Sequence, residues 1–182
     1  VSVDGLKARV INEIIKREGG YVNDSDDSGG ETNFGVTEKV ARKYGYKGTM
    51  KGMSREFAFS VYVVLYWDKL KLDAIAEVSG LVAEELADTA VNMGVGRAGK
   101  FLQRSLNVLN NRGALYGDIG VDGQVGSGTL SAFNALMDKR GIEGAEILYK
   151  MLNCLQGAFY VELSERREKD EKYIYGWFKN RV

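Results

Sequence analysis

The chain has 182 residues, 45% of them hydrophobic and 27% charged, with 25 basic side chains balancing 25 acidic ones. That is enough apolar material for one globular domain with a sizeable core, and the neutral balance gives it no general pull towards nucleic acid or an anionic membrane surface. The lack of any histidine excludes Ser-His-Asp and Cys-His triads and imidazole zinc sites, and a single cysteine excludes an internal disulfide or thiolate cluster.

Leu6, Val10, Ile11, Ile14 and Ile15 recur at helical spacing, so a first helix is expected from Asp4, as its cap, to Glu18, with Gly19 and Gly20 ending it. From Tyr21 to Gly35 the chain is too rich in Asp, Ser, Asn and Gly for a packed helix, and any strand there should be short. Thr37 can cap a short helix to Tyr44, and Ser54, with Glu56 close behind, starts an apolar helix through Trp67. The apolar run Val61 to Trp67 falls well short of the roughly 20 residues a membrane-spanning helix needs, so no stable membrane insertion is expected.

Helices from Leu81 to Met93 and Arg97 to Leu109 follow, separated by a Gly94-Val95-Gly96 break. After a glycine-rich turn region, Gly113 to Gly128, come a helix from Thr129 to about Lys139 and a long helical stretch from Ile142 towards Arg166. Cys154 is expected as a small buried residue of that last helix. The charged run Glu165 to Lys172 reads as a solvated face. Alternating apolar strands are nearly absent and no proline interrupts the helices, which predicts a mainly α fold. One globular domain with two subdomains is expected, 1–94 and 95–182, with the seam at the glycine break.

The residue types that remain for chemistry are carboxylates, hydroxyls, amides, Lys, Arg and Tyr, a set that suits glycoside cleavage by two carboxylates without metal or cofactor. Glu18 stands at a helix C-terminus, where unpaired carbonyls disfavour a carboxylate and should raise its pKa towards that of a general acid. The following glycines leave room for a sugar to approach. Asp24, Asp26 and Asp27 all offer a second carboxylate. A calcium loop fits less well: Asp24, Asp26, Ser28 and Gly29 match an EF-hand's early positions, but Gly35 stands where its bidentate Glu is required.

Glu18-Gly19-Gly20-Tyr21-Val22-Asn23-Asp24, followed by Gly29-Gly30-Glu31-Thr32-Asn33-Phe34-Gly35-Val36-Thr37, closely resembles the glycoside hydrolase family 108 muramidases. The resemblance continues through Ala90-Val91-Asn92-Met93-Gly94, Leu102-Gln103 and Val121-Asp122-Gly123-Gln124-Val125-Gly126 with Thr129-Leu130, to Gly176-Trp177-Phe178-Lys179-Asn180-Arg181-Val182. The latter half looks like the predicted peptidoglycan-binding region that accompanies the family. The resemblance implies a lysozyme-like fold and Glu18 as the catalytic residue. It also implies peptidoglycan glycan strands as substrate, cut at the β-1,4 bond between N-acetylmuramic acid and N-acetylglucosamine. Members are phage endolysins or prophage-derived proteins, so action in the periplasm of a Gram-negative host, as a monomer, is expected.

Asp27 lies nine residues beyond Glu18 and Thr32 five beyond Asp27, which resembles the Glu, Asp, Thr arrangement of phage lysozymes with the last interval one residue short. Asp27 is therefore expected as second carboxylate and Thr32 as the residue that positions water. Ser25 and Ser28 stand where the family often has proline. Tyr21 and Trp177 are expected to stack on sugar faces or to pack internally, Asn92 to bond an acetamido group or cap its helix, and Gln103 to be structural. The first residues lack the order of a secretion signal, so the export route stays open. A lytic transglycosylase and a non-catalytic peptidoglycan-binding or secretion-related module are the rival readings.

Overall fold

Helix α1 (Val3–Glu18) buries Leu6, Val10, Ile11, Ile14 and Ile15, the apolar face read from their spacing. Its cap is Ser2, whose hydroxyl accepts a hydrogen bond from the Gly5 N–H, rather than Asp4, which lies in the first turn. A serine two positions upstream takes the role because the helix starts two residues earlier than a cap at Asp4 would allow. Gly19 ends it with φ 84°, a conformation that side chains disfavour.

The structure, a computed structural model, describes residues 2–23 and 30–182. They form two units, Val1–Asp68 and Lys69–Val182. In the first unit the polar segment holds an antiparallel hairpin of two-residue strands, β1 (Thr32–Asn33) and β2 (Val36–Thr37), paired Thr32 to Thr37 and Asn33 to Val36. Thr37 then caps α2 (Glu38–Lys43), and a 3₁₀ turn (Met50–Gly52) leads to α3 (Arg55–Tyr62), capped by Ser54. The expected apolar helix through Trp67 does continue, but as π-helix over Val63–Trp67. Arg55 ties α3 to α1, donating to the Asn12 side chain at 3.0 Å and to its carbonyl at 2.7 Å.

The α-helices of the second unit are α4 (Leu72–Ala76), α5 (Gly80–Met93), α6 (Val95–Leu109), α7 (Ser127–Arg166) and α8 (Glu171–Arg181), with turns over 110–126 between α6 and α7. Gly141, at φ 56° and ψ −139°, breaks α7 in two, at the interruption expected between Lys139 and Ile142. Helices α5, α6 and α7 pack on one another around Leu86, Leu102, Leu106, Phe133, Leu136, Leu148 and Leu152. Cys154 is exposed, contrary to expectation. The buried stripe of α7 runs through Leu148, Leu152, Gln156 and Tyr160, four residues apart, and Cys154 falls between its rungs. Among the described residues no helix is long and apolar enough to cross a membrane.

Candidate active site

Glu18 is exposed on the last turn of α1, and the hairpin tip lies against it. The tip is a two-residue turn in which Phe34 (φ 51°) and Gly35 (φ 75°) are both left-handed, the form whose twist suits a tight hairpin. A Cβ placed on Gly35 would stand 3.0 Å from the Glu18 Cβ and 3.1 Å from its Cγ, and would collide with the Tyr62 hydroxyl. Glycine at this position is thus what allows the hairpin to close on the stem of Glu18.

The hairpin is fixed from three sides. Tyr62 Oη donates to the Phe34 carbonyl at 3.1 Å. Asn33, buried, donates through Nδ2 to the Met50 carbonyl at 2.8 Å, joining β1 to the 3₁₀ turn. Val22 and Thr32 exchange backbone hydrogen bonds of 2.8 and 2.9 Å, so the chain leaving α1 pairs with the strand that returns to it.

Tyr62, the last residue of α3, and Tyr66, in the π-helical segment, pack ring on ring with centroids 5.5 Å apart. Burial, followed by the negative charge of Glu18, raises the pKa of both phenols, that of Tyr62 far above its usual range. Both hydroxyls therefore stay protonated at any physiological pH, neutral donors beside the carboxylate. The π-helical turn bears on this geometry, because one extra residue per turn re-aims the side chains that follow. Sequence reading did not single out Asn33, Tyr62 or Tyr66. The order Asn-Phe-Gly at the hairpin was the available signal for Asn33, whereas the tyrosines sat inside an apolar run that reads only as core.

Tyr21 donates to Glu31 Oε1 at 2.7 Å, and this bond, more than its slight burial or the charge of Glu31, raises the phenol's pKa. Thr32 is half-buried in β1 with its backbone committed to both neighbours. Asp27, with Asp24, Asp26, Ser25 and Ser28, lies outside the described residues.

The other expected site residues belong to the second unit. Asn92, in the last turn of α5, gives its Nδ2 to the Asp88 carbonyl at 2.8 Å and to the Asp88 carboxylate at 3.0 Å, while the cap falls to Gly94. Trp177 is half-buried and stacks on Tyr160 (4.7 Å) and Tyr173 (5.9 Å). Gln103 is structural, as expected: its Nε2 donates to Asp122 at 2.8 Å, the Gln124 carbonyl at 3.0 Å and Thr129 at 3.3 Å, and its Oε1 accepts from the Gly123 N–H at 2.8 Å. That clamp also holds the Asp122 carboxyl below its usual pKa.

Two family models match the chain, Glycosyl hydrolase 108 over residues 11–94 and Predicted Peptidoglycan domain over residues 97–182. No curated protein matches it. A solved structure described as that of Brucella abortus SagA superposes with a TM-score of 0.67 at 24% identity, covering 97% of this chain and 89% of its own. That likeness supports a mainly α, lysozyme-like fold.

Proposed function

The chain belongs to the glycosyl hydrolase 108 family, joined to a predicted peptidoglycan domain, and from that premise we propose that it is an N-acetylmuramidase whose general acid is Glu18. The observation that carries this reading is the pairing of an exposed glutamate with a hairpin tip that only a glycine could bring against its stem. The bond cut is the β-1,4 link from N-acetylmuramic acid to N-acetylglucosamine. Glu18 gives its proton to the leaving glycosidic oxygen as the bond from the sugar's anomeric carbon to that oxygen breaks. A water oxygen then bonds to the same carbon. Asp27 is the second carboxylate, stabilising the positively charged sugar or taking the water's proton, and Thr32 orients that water. A separation of the two carboxyls of about 5–5.5 Å would give retention, and about 6.5–9.5 Å inversion.

Tyr62 and Tyr66 supply neutral walls beside the acid, with the Tyr62 O–H already given to the Phe34 carbonyl. The sugar contacts expected of Tyr21, Asn92 and Trp177 belong to the same proposal, as do monomeric action in the periplasm of a Gram-negative host and a phage or prophage origin. Digestion of purified peptidoglycan by wild type, Glu18→Gln and Asp27→Ala, with fragments identified by mass spectrometry, tests it. Reducing muramic ends that vanish in both variants are expected. Anhydro-muramic ends with Asp27→Ala still active would make the protein a lytic transglycosylase, and no fragments from wild type would leave only a binding module.

A further inference from the structure

The second unit holds a polar cavity of about 470 Å³ whose wall carries three guanidinium groups, Arg97, Arg166 and Arg167, with Phe159, Leu163 and Asn92 beside them. Among the described residues no carboxylate lines it. In a chain of zero net charge, three cations converging on one concave surface make a local field that attracts an anion.

Arg97 is held but not neutralised, and the other two arginines are paired only at long range. The Arg97 guanidinium lies over the Phe159 ring, its carbon 3.8 Å from the centroid, and among the described residues no carboxylate pairs with it. Stacking fixes the plane of a guanidinium and leaves its edge N–H groups pointing outward as a fork, the geometry that grips a carboxylate through two parallel bonds. Arg166 reaches the Glu162 carboxylate only at 3.9 Å, and Arg167 reaches Asp170 at the same distance, both pairs well exposed on the arginine side. The remaining nearby acid, Asp88, is bonded by Asn92. Because Nδ2 of Asn92 is spent on that bond, Oδ1 is the atom left to accept from a ligand N–H.

We propose that this cavity binds a free carboxylate of a peptidoglycan stem peptide, with Arg97 as the forked anchor, Arg166 and Arg167 as flanking charge, Asn92 Oδ1 taking a peptide N–H, and Phe159 and Leu163 covering the aliphatic side chain. The inference rests on the peptidoglycan reading above, adds the stem peptide to what the second unit holds, and gives Asn92 to that peptide rather than to an acetamido group. A bare phosphate would satisfy the arginines but would have no use for the acceptor or the apolar wall.

The test is calorimetric titration of the whole chain with a stem tetrapeptide bearing free carboxylates and with the same peptide amidated at its carboxyls. Binding of the free acid at least about tenfold tighter than the amide is expected, with a loss of about tenfold or more in Arg97→Gln and a smaller loss in Arg167→Gln, since one charge-assisted bond is worth at least that factor. Circular dichroism of each variant confirms that it folds. Equal affinity for acid and amide, undiminished binding by Arg97→Gln, or inorganic phosphate binding as tightly as the peptide would each overturn the proposal. Cleavage of peptide-free glycan strands is measured alongside. Strands cut by a chain that ignores the peptide would end this inference alone, and uncut strands would end the muramidase reading whatever the peptide does.

Discussion

The Phe34–Gly35 turn of the first unit and the Asp122–Gly123 turn of the second both place glycine in the left-handed region, at φ 75° and 84°, and both press it against a neighbour too close for a side chain. At Gly35 the neighbours are the side chains of Glu18 and Tyr62. At Gly123 they are the backbone of Gly96, 2.5 Å from where a Cβ would stand, while Gln103 takes up the turn's N–H and the Asp122 carboxylate from within. The first turn leaves an acid in solvent, and the second spends its polar groups inside the fold. A polar glycine turn becomes a site when nothing buried claims the groups beside it, and scaffold when a buried amide does.

Opposite consequences for mutation follow. Glu18→Gln should cost about 10²–10⁴ in glycan cleavage, the usual worth of a general acid, with the unfolding midpoint unmoved because the side chain is exposed. Gln103→Ala should do the reverse, destabilising by about 2–4 kcal/mol through a stranded Gly123 N–H and a cavity, while folded molecules still cleave. Urea denaturation and a turbidity assay on both variants read the pair. If Gln103→Ala abolished cleavage without loss of stability, the second turn would be a site too.

The next effect is at the hairpin itself. Gly35→Ala combines a positive φ with contact on Glu18 and Tyr62, so a loss of about 1–3 kcal/mol and a fall in cleavage larger than stability explains are expected. Full activity in a destabilised Gly35→Ala protein would show that the tip does not position the acid.

The contrast also explains what was legible beforehand. Apolar spacing located α1, α5, α6 and the break at Gly141, because burial repeats every three to four residues and survives in the sequence. Glu18 stood out by its place between a helix end and two glycines. Tyr62 and Tyr66 did not, since a π-helical turn rather than sequence spacing sets their direction. Cys154 was misjudged for a related reason: α7 buries Asn153, Gln156 and Ser164, so residue type alone did not mark its inner face. Of these, Asn153 bonds a carboxylate on α5 that composition gave no reason to expect inside, and Gln156 donates to Thr89, which bonds the same carboxylate.

That carboxylate is Glu85, and against the exposed Glu18 it gives the next comparison. Burial above all, then the charge of Asp88, pushes its pKa up to about 7, with Thr89 and Asn153 opposing through hydrogen bonds. The native state thus holds this proton more tightly than the unfolded chain does. Its contribution is complete below the ordinary value of 4.5 and is lost as pH rises to about 7, a swing on the order of 3 kcal/mol. Urea midpoints at pH 4.5 and 8 should differ in this sense, and Glu85→Gln should flatten that portion of the difference. A slope unchanged by the substitution would assign the titration elsewhere.

The smallest effect separates support from chemistry at the first turn. Tyr62→Phe keeps the buried ring against Tyr66 and removes only the hydroxyl that donates to the Phe34 carbonyl. The carbonyl loses its buried donor, so about 0.5–1.5 kcal/mol of stability should go with it. If the hydroxyl serves the hairpin alone, cleavage should fall no further than Gly35→Ala would imply from loosening of the tip, and its pH profile should keep its shape. If it also serves Glu18, whose charge its neutral O–H faces, the acidic or basic limb of that profile should move in Tyr62→Phe and not in a variant that loosens the hairpin from the other side, Asn33→Ala. The two substitutions release the same hairpin through different bonds, Tyr62 to Phe34 and Asn33 to Met50, so a profile that moves in one and not the other belongs to the tyrosine.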